Sequence, residues 1–492
     1  MKFRITLAAL LCCSTISPLK ALAAVFHVPS GDVTALIAAI NTANATAEAD
    51  IIQLEPAVYL LQSVETDVRG PTGLPAISST ITIKGESDLT TTIQRDIDAP
   101  LFRIFHVAAG GILENVTVRG GLLLGVQNGA GIQNFGVTNI KSSSISSNGI
   151  VFGVGGGIHS TGTLNVTNSL INRSDALFGA GISSEGNLVM SDSTVSDNVD
   201  GGGLRTSGPT TIRNSMIAFN DAFEQAGGIA HSSARLDIVN STIAHNTSNS
   251  FGGAISGSGR ILITSSTIIG NNAISGTAIA GTVQVQNTII ANNGRFGSEC
   301  QGEITSLGNN IVGDALNCSE DLLPSDLTGD PGLGDFTDIE DPGKGHFPLL
   351  STSQAINAGN NSVCPKTDQL GNPREGACDI GSLEFQRNIR VLEELPASEV
   401  NVAYSVTFEI IGGVPPYTVE IIKGSLPEGL SLSELTISGV PLERANSNFV
   451  IKITDQAGTS ANERIRLRVF DAIDINTQSL KLGRVGRPYS RC

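Results

Sequence analysis

Tryptophan is absent from this chain of 492 residues, and tyrosine nearly so, with 4 copies beside 17 phenylalanines. One globular core of this size draws on large aromatics to fill its volume, whereas a core of stacked aliphatics does not, so a repeating core is expected. Basic residues are also scarce: 30 Lys and Arg stand against 46 Asp and Glu, a formal charge of −16. Nucleic acid and anionic membrane surfaces select basic proteins, which removes both from the expected partners. Beyond the N-terminus no apolar run approaches the roughly 20 residues of a membrane-spanning helix. No G-x-S-x-G elbow lies between a strand and a helix, which argues against a serine nucleophile.

The N-terminus is apolar but short. Lys2 and Arg4 precede a run from Ile5 to Ile16, and Ala21-Leu22-Ala23-Ala24 follows. A basic start, a short apolar stretch and a small-residue end are the parts of a secretory signal peptide, so residues 1–24 are read as one and the chain as secreted or cell-surface. Of the seven cysteines, Cys12 and Cys13 fall inside that segment and Cys492 is the last residue. After export the other four can oxidise, and nearest neighbours close the shortest loops: Cys300 with Cys318, and Cys364 with Cys378. Their spacings lack the paired C-x-x-C look of a zinc site.

What the chain has in abundance is glycine, 56 copies, and much of it recurs with a period. A small-residue pair followed by an aliphatic appears as Gly-Ala-Gly-Ile132, Gly-Gly-Gly-Ile158, Gly-Ala-Gly-Ile182, Gly-Gly-Gly-Leu204, Ala-Gly-Gly-Ile229, Gly-Gly-Ala-Ile255 and Ser-Gly-Thr-Ala-Ile279. The aliphatics are spaced 26, 24, 22, 25, 26 and 24 residues apart. Between them lies a second mark, polar-Ser-x-aliphatic-x-x-Asn, as in Asn214 to Asn220 and Asn240 to Asn246. Such a period means a solenoid. Inside each period the segments are short, β-branched and alternating, as in Arg235-Leu-Asp-Ile238-Val, and these are strands. Leucine-rich repeats would show many leucines, and propeller blades about twice the period, so a parallel β-helix is expected.

Successive turns then stack one strand spacing apart. Ile145, Ile171, Val195, Ile217, Ile243, Ile268 and Ile290 should form one buried column. Asn148, Asn198, Asn220, Asn246, Asn271 and Asn293 should form another at a sharp bend, where Asn tolerates left-handed backbone and its amide can bond along the stack. A solenoid needs covered ends. Asp32 to Ile40 places Val33, Leu36, Ile37 and Ile40 on one helical face with Ser30 or Asp32 as N-cap, and a capping helix is expected there.

The Gly-Gly-Ile turns, the Asn-Ser-Thr-Ile-x-x-Asn turns and the closing Cys378-Asp-Ile-Gly-Ser-Leu-Glu384-Phe resemble bacterial secreted right-handed β-helix proteins of the pectate-lyase-like superfamily. The polymorphic-outer-membrane-protein-like and choice-of-anchor types are the ones resembled, over about residues 25–386. After Arg387, alternating strands with Gly and Pro turns make a segment about the size of an immunoglobulin-like sandwich. It resembles the immunoglobulin-like repeats of bacterial surface proteins, and Gly483-Arg-Val-Gly-Arg-Pro-Tyr489-Ser echoes Val402-Ala-Tyr404-Ser. The expected fold class is therefore all-β: a signal peptide at 1–24, a single-stranded right-handed parallel β-helix with a helical cap at 25–310, its loop-rich closing segment at 311–386, an immunoglobulin-like domain at 387–471, and the start of a second copy at 472–492.

Three functions compete. The leading one is a recognition or adhesion protein that presents a rigid β-helix to polysaccharide or another surface. The resemblance also implies a polysaccharide lyase or glycoside hydrolase, and the third reading is a structural envelope component. Hydrolases need two nearby carboxylates, and their familiar marks in this superfamily, Asn-Thr-Asp, Asp-Asp, His-Gly and Arg-Ile-Lys, are missing here. A lyase would need calcium, held by acids, and a basic residue. The candidates for such chemistry are His159, Arg205 and His231 near the Gly marks, and Asp197, Asp200 and Asp221 near the Asn column. One polar group per turn is also what any solvated solenoid face shows.

Overall fold

A computed structural model describes residues 23–471, apart from 68, 295–298, 314–321, 339–340, 375, 386–388, 392–394, 414 and 457. Nearly all of the signal segment, Cys318, Cys492 and the start of the second immunoglobulin-like copy lie outside the described residues. The chain divides into two compact units, one built from residues up to 348 with 354–384, the other from 349–353 with the residues after 384.

The first unit is a parallel β-helix. Each turn runs along face one, a strand of three residues such as Ile132–Asn134, then face two, such as Val137–Lys141, then face three, such as Ser144–Ser146. A less regular face four, such as Gly149–Val151, returns the chain to the next turn. Face three is a parallel sheet of twelve strands, from Ala57–Leu61 to Leu327–Thr328. The expected aliphatic column is its inner side: Ile145 pairs with Ile171, Ile171 with Val195, Val195 with Ile217, Ile217 with Ile243, Ile243 with Ile268, and Ile268 with Ile290. All are wholly buried. Burial of such a side chain contributes about 1.5 to 3 kcal/mol, which only a stack can collect.

The asparagine column forms a ladder at the bend from face three to face four. The Asn220 amide donates to Asn246 Oδ1 at 2.9 Å, Asn246 to Asn271 at 2.9 Å, and Asn271 to Asn293 at 3.0 Å. The backbone angle expected of these asparagines belongs instead to the residue before each: Ser147, Asp197, Phe219, His245 and Asn292 have φ between 53° and 56°. Asparagine is selected here for its amide, since the left-handed neighbour turns the chain and leaves the column side chain inward. At the bend from face two to face three, serines do the same work. The backbone N–H of Ser143 donates to Ser169 Oγ, Ser169 to Ser193, Ser193 to Ser215, and Ser215 to Ser241, at 3.2 to 3.3 Å.

The cap helix runs over Val33–Asn44, one turn longer than the sequence pattern marks, and Asp32 accepts the Ala35 N–H at 2.9 Å as its N-cap. Leu36, Ala39, Ile40 and Ala43 face the core.

Past the last turns, the segment up to Pro348 and then 354–384 returns along the outer side of face three. Gly343 N donates to Thr194 Oγ1, Thr242 Oγ1 to Gln369 Oε1 at 2.6 Å, and Gly381 N to the Asn287 carbonyl. Phe336 and Phe347 pack on Met216, Ala218, Ala244 and Ile269. The closing motif is its latch: buried Arg374 pairs with Glu384 and donates to Asn240 Oδ1, while a disulfide joins Cys364 to Cys378.

The second unit contains a four-stranded sheet, Ser398–Glu399, Ser460–Phe470, Ala445–Thr454 and Thr418–Lys423 in spatial order, and a three-stranded one, Tyr404–Thr407, Thr436–Gly439 and Leu430–Ser433. Phe408, Ile437, Phe449, Ile451, Ile453 and Leu467 form its core.

Candidate binding groove

With face three covered, face one is where the solenoid opens. The middle residues of its strands stack as Gln133, His159, Ser183, Arg205, Ala230, Ser256, Ala280 and Gln301. His159 and Ser183 are buried. From Arg205 onward a groove of about 840 Å³ runs over five consecutive strands. Four strand spacings make this about 19 Å long. Its floor is low because Ala230, Ser256 and Ala280 carry so little side chain. Glu224, Gln225 and Phe251 of face four form one wall, and His231, Ser232 and Ser258 lie on the other. Gly257, Gly281 and Gly302 complete that margin in register, and a Cβ on Gly281 would come within 2.0 Å of the Gly257 carbonyl.

The six candidates divide between two faces. Arg205 stands at one end of the groove, half-buried, and among the described residues it forms no ion pair. His159, two turns behind it, is only 3% exposed and its Nδ1 has no hydrogen-bond partner. Burial holds its pKa below the ordinary imidazole value; Glu185 opposes that shift, and Arg205 and Arg103 add to it. His231 lines the groove, but both ring nitrogens are engaged, Nδ1 with Thr206 Oγ1 at 2.8 Å and Nε2 with the Ala234 carbonyl at 3.1 Å. Burial lowers its pKa as well; facing a carbonyl, Nε2 donates, and in the neutral ring Nδ1 then accepts from Thr206.

The three aspartates lie elsewhere. Asp197 sits at the bend into face four and accepts from Ser196 Oγ at 2.8 Å. Asp200 and Asp221 are exposed on face four. Asp200 lies beside Asp175, whose carboxyl pKa is raised first by desolvation and then by that neighbouring charge. Among the described residues no three His, Cys, Asp or Glu side chains converge as a metal site would require.

Sequence reading missed Glu224 and Gln225, and Gln225 Oε1 is a buried acceptor without a partner. One signal was present. The shortest period, 22 residues, separates Ile182 from Leu204, where face four shrinks to Val199-Asp-Gly-Gly-Gly203 just before the strand that carries Arg205.

Residues 391–470 match the family described as Putative Ig domain. Among solved structures, the pectate lyase Pel9A shares 15% identity over 74% of this chain and 97% of its own, with a TM-score of 0.46. Two Bacteroides fragilis proteins, described as a putative alpha-galactosidase and a putative alpha-galactosidase/melibiase, share 21% and 15% identity. Each of those likenesses covers 18% of this chain and 18% of the other, with a TM-score of 0.15, so the chain spans under a fifth of their length. No curated protein sequence matches this one.

Proposed function

We propose that this parallel β-helix, with its immunoglobulin-like companion, is an exported recognition protein that binds an elongated polysaccharide along face one. The observation that carries the reading is the groove: long, open lengthwise, floored by small residues, and provided at one end with a guanidinium that forms no ion pair among the described residues. Arg205 would take a carboxylate or sulfate on the glycan. Binding is favoured over catalysis because, among the described residues, Glu224 is the one carboxylate lining the groove and His231 has both ring nitrogens engaged. Glycoside hydrolysis uses two carboxylates about 5 to 9.5 Å apart.

A glycan array probed with the protein from residue 25 onward, with and without calcium, tests the reading. Acidic glycans should bind, Arg205→Ala should weaken them about tenfold or more, as loss of a charge-assisted contact does, and Ser256→Trp should block the groove without changing the melting temperature. Absence of any glycan signal, or full binding by Ser256→Trp, would refute it. Release of unsaturated or reducing sugar from bound glycans would favour the lyase or hydrolase reading. Export is checked separately by sequencing the N-terminus of protein recovered outside the cell, which should begin at Ala24 or Val25.

A further inference from the structure

Face four carries a feature that the groove uses only at its Glu224 and Phe251 wall. Its loops stack turn on turn: Gly149–Val151 pairs with Leu122–Leu124, Asp175 bridges Gly149 to Val199, and Asp221–Ala222 pairs with Thr247–Ser248, whose strand pairs with Asn272–Ser275. Almost every loop leaves a large apolar side chain in solvent. Val126 is 95% exposed, Phe152 69%, Leu177 40%, Phe223 64%, Phe251 50% and Ile274 74%. Stacking sets these loops side by side over about six strand spacings, or about 29 Å, so that their exposed side chains share one ridge. Scattered exposed apolar residues are ordinary on a protein surface, but six of them on one stacked face mark an interaction surface.

The charges interleaved with this ridge are of one sign. Loops 122–129, 149–155, 175–181, 199–203, 221–228, 247–254 and 272–278 contain Asp175, Asp200, Asp221 and Glu224 and neither lysine nor arginine. The nearest cations along the chain are Arg173, at the bend from face three, and Arg205 on face one. From this charge pattern we propose that the ridge docks a polypeptide segment rich in lysine or arginine and in aliphatic or aromatic side chains. Apolar side chains of the partner cover the ridge while its cations meet the aspartates, an arrangement that fixes register and speeds encounter.

The alternatives fit less well on the same grounds. A second copy packed ridge to ridge would bring Asp175, Asp200, Asp221 and Glu224 against their own kind, in a chain whose formal charge is already −16. An anionic bilayer meets the same repulsion. Desolvation, and after it the crowding by Asp200, already raise the Asp175 pKa, and a partner's cation placed there would relieve that crowding.

The test uses the protein from residue 25 to 492 and three probes: a 20-residue peptide alternating lysine with leucine and phenylalanine, the same peptide with glutamate for lysine, and vesicles containing phosphatidylserine. Titration should show binding of the lysine peptide alone. Phe152→Ser with Phe223→Ser should weaken it about tenfold or more, since each change removes a ring that the partner covers. Asp175→Asn with Asp200→Asn should weaken it and flatten its salt dependence. Ile274→Ser supplies an independent ridge variant should the phenylalanine pair fold poorly, and Arg205→Ala should leave the binding unchanged, which separates ridge from groove. Equal binding by parent and ridge variants, equal binding of the glutamate peptide, vesicle binding, or a ridge-dependent dimer in sedimentation would each overturn the proposal.

Discussion

At Asn220 a single side chain meets five hydrogen-bond partners. The two N–H of its amide are shared among the carbonyls of Val195 and Ala218 and Asn246 Oδ1, and its own oxygen accepts both the backbone and the side-chain N–H of Asn198. All of this is buried, so Asn220→Ala leaves several polar groups without partners and without water, at roughly 1 to 3 kcal/mol for each. Guanidinium denaturation should show a loss of at least about 3 kcal/mol. Asn272→Ala, at an exposed position, should cost under about 0.5 kcal/mol. The column was legible because each asparagine needs a partner of its own kind one turn away. The left-handed residues before the asparagines were not, since that position accepts Ser, Asp, Phe, His, Gly or Asn and carries no signature of its own.

The elements are held in place by their corners. Where face one turns into face two, Gly136, Gly162, Gly186 and Gly208 follow one another, and a Cβ on Gly162 would lie 2.0 Å from the Gly136 carbonyl. The obstacle is backbone on the neighbouring turn, which cannot swing away as a side chain can. Gly162→Ala should therefore cut soluble yield or lower the melting temperature sharply, whereas Gly149→Ala, whose Cβ would meet only side chains, Leu122 at 3.4 Å and Asp175 at 3.9 Å, should be tolerated. Reading the sequence found the glycines before face one but not this second set, because it sits among strand residues with no small pair to announce it. Equally invisible was the fate of face three: the serines, threonines and small aliphatics on its outer side look solvent-facing until the closing segment is laid over them.

For the β-helix as a whole, five of the six histidines, His106, His159, His231, His245 and His346, share one electrostatic condition. Burial lowers the pKa of each below its ordinary value. The unfolded chain therefore takes up protons first as pH falls through about 6.5, and the folded state loses stability from there downward. Asp175 and Asp368, whose pKa values are raised, act in the opposite sense, but chiefly nearer the carboxylate range around pH 4. The melting temperature should accordingly be lower at pH 5 than at pH 7.5, and His159→Gln should narrow the gap. An unchanged melting temperature across that interval would show that the buried imidazoles do not control it.

The sequence by itself determined the period, the strands and the inward columns. Every turn presents the next with nearly the same environment, so the same residue types recur at the same positions. Which outward side chains are free was decided only by the tertiary structure. His231 is spent on Thr206 and Ala234, Arg205 lines the groove, and Thr242 is covered by Gln369 from 127 residues away. Contacts across such a distance follow no period, and so no repeat in the chain announces them.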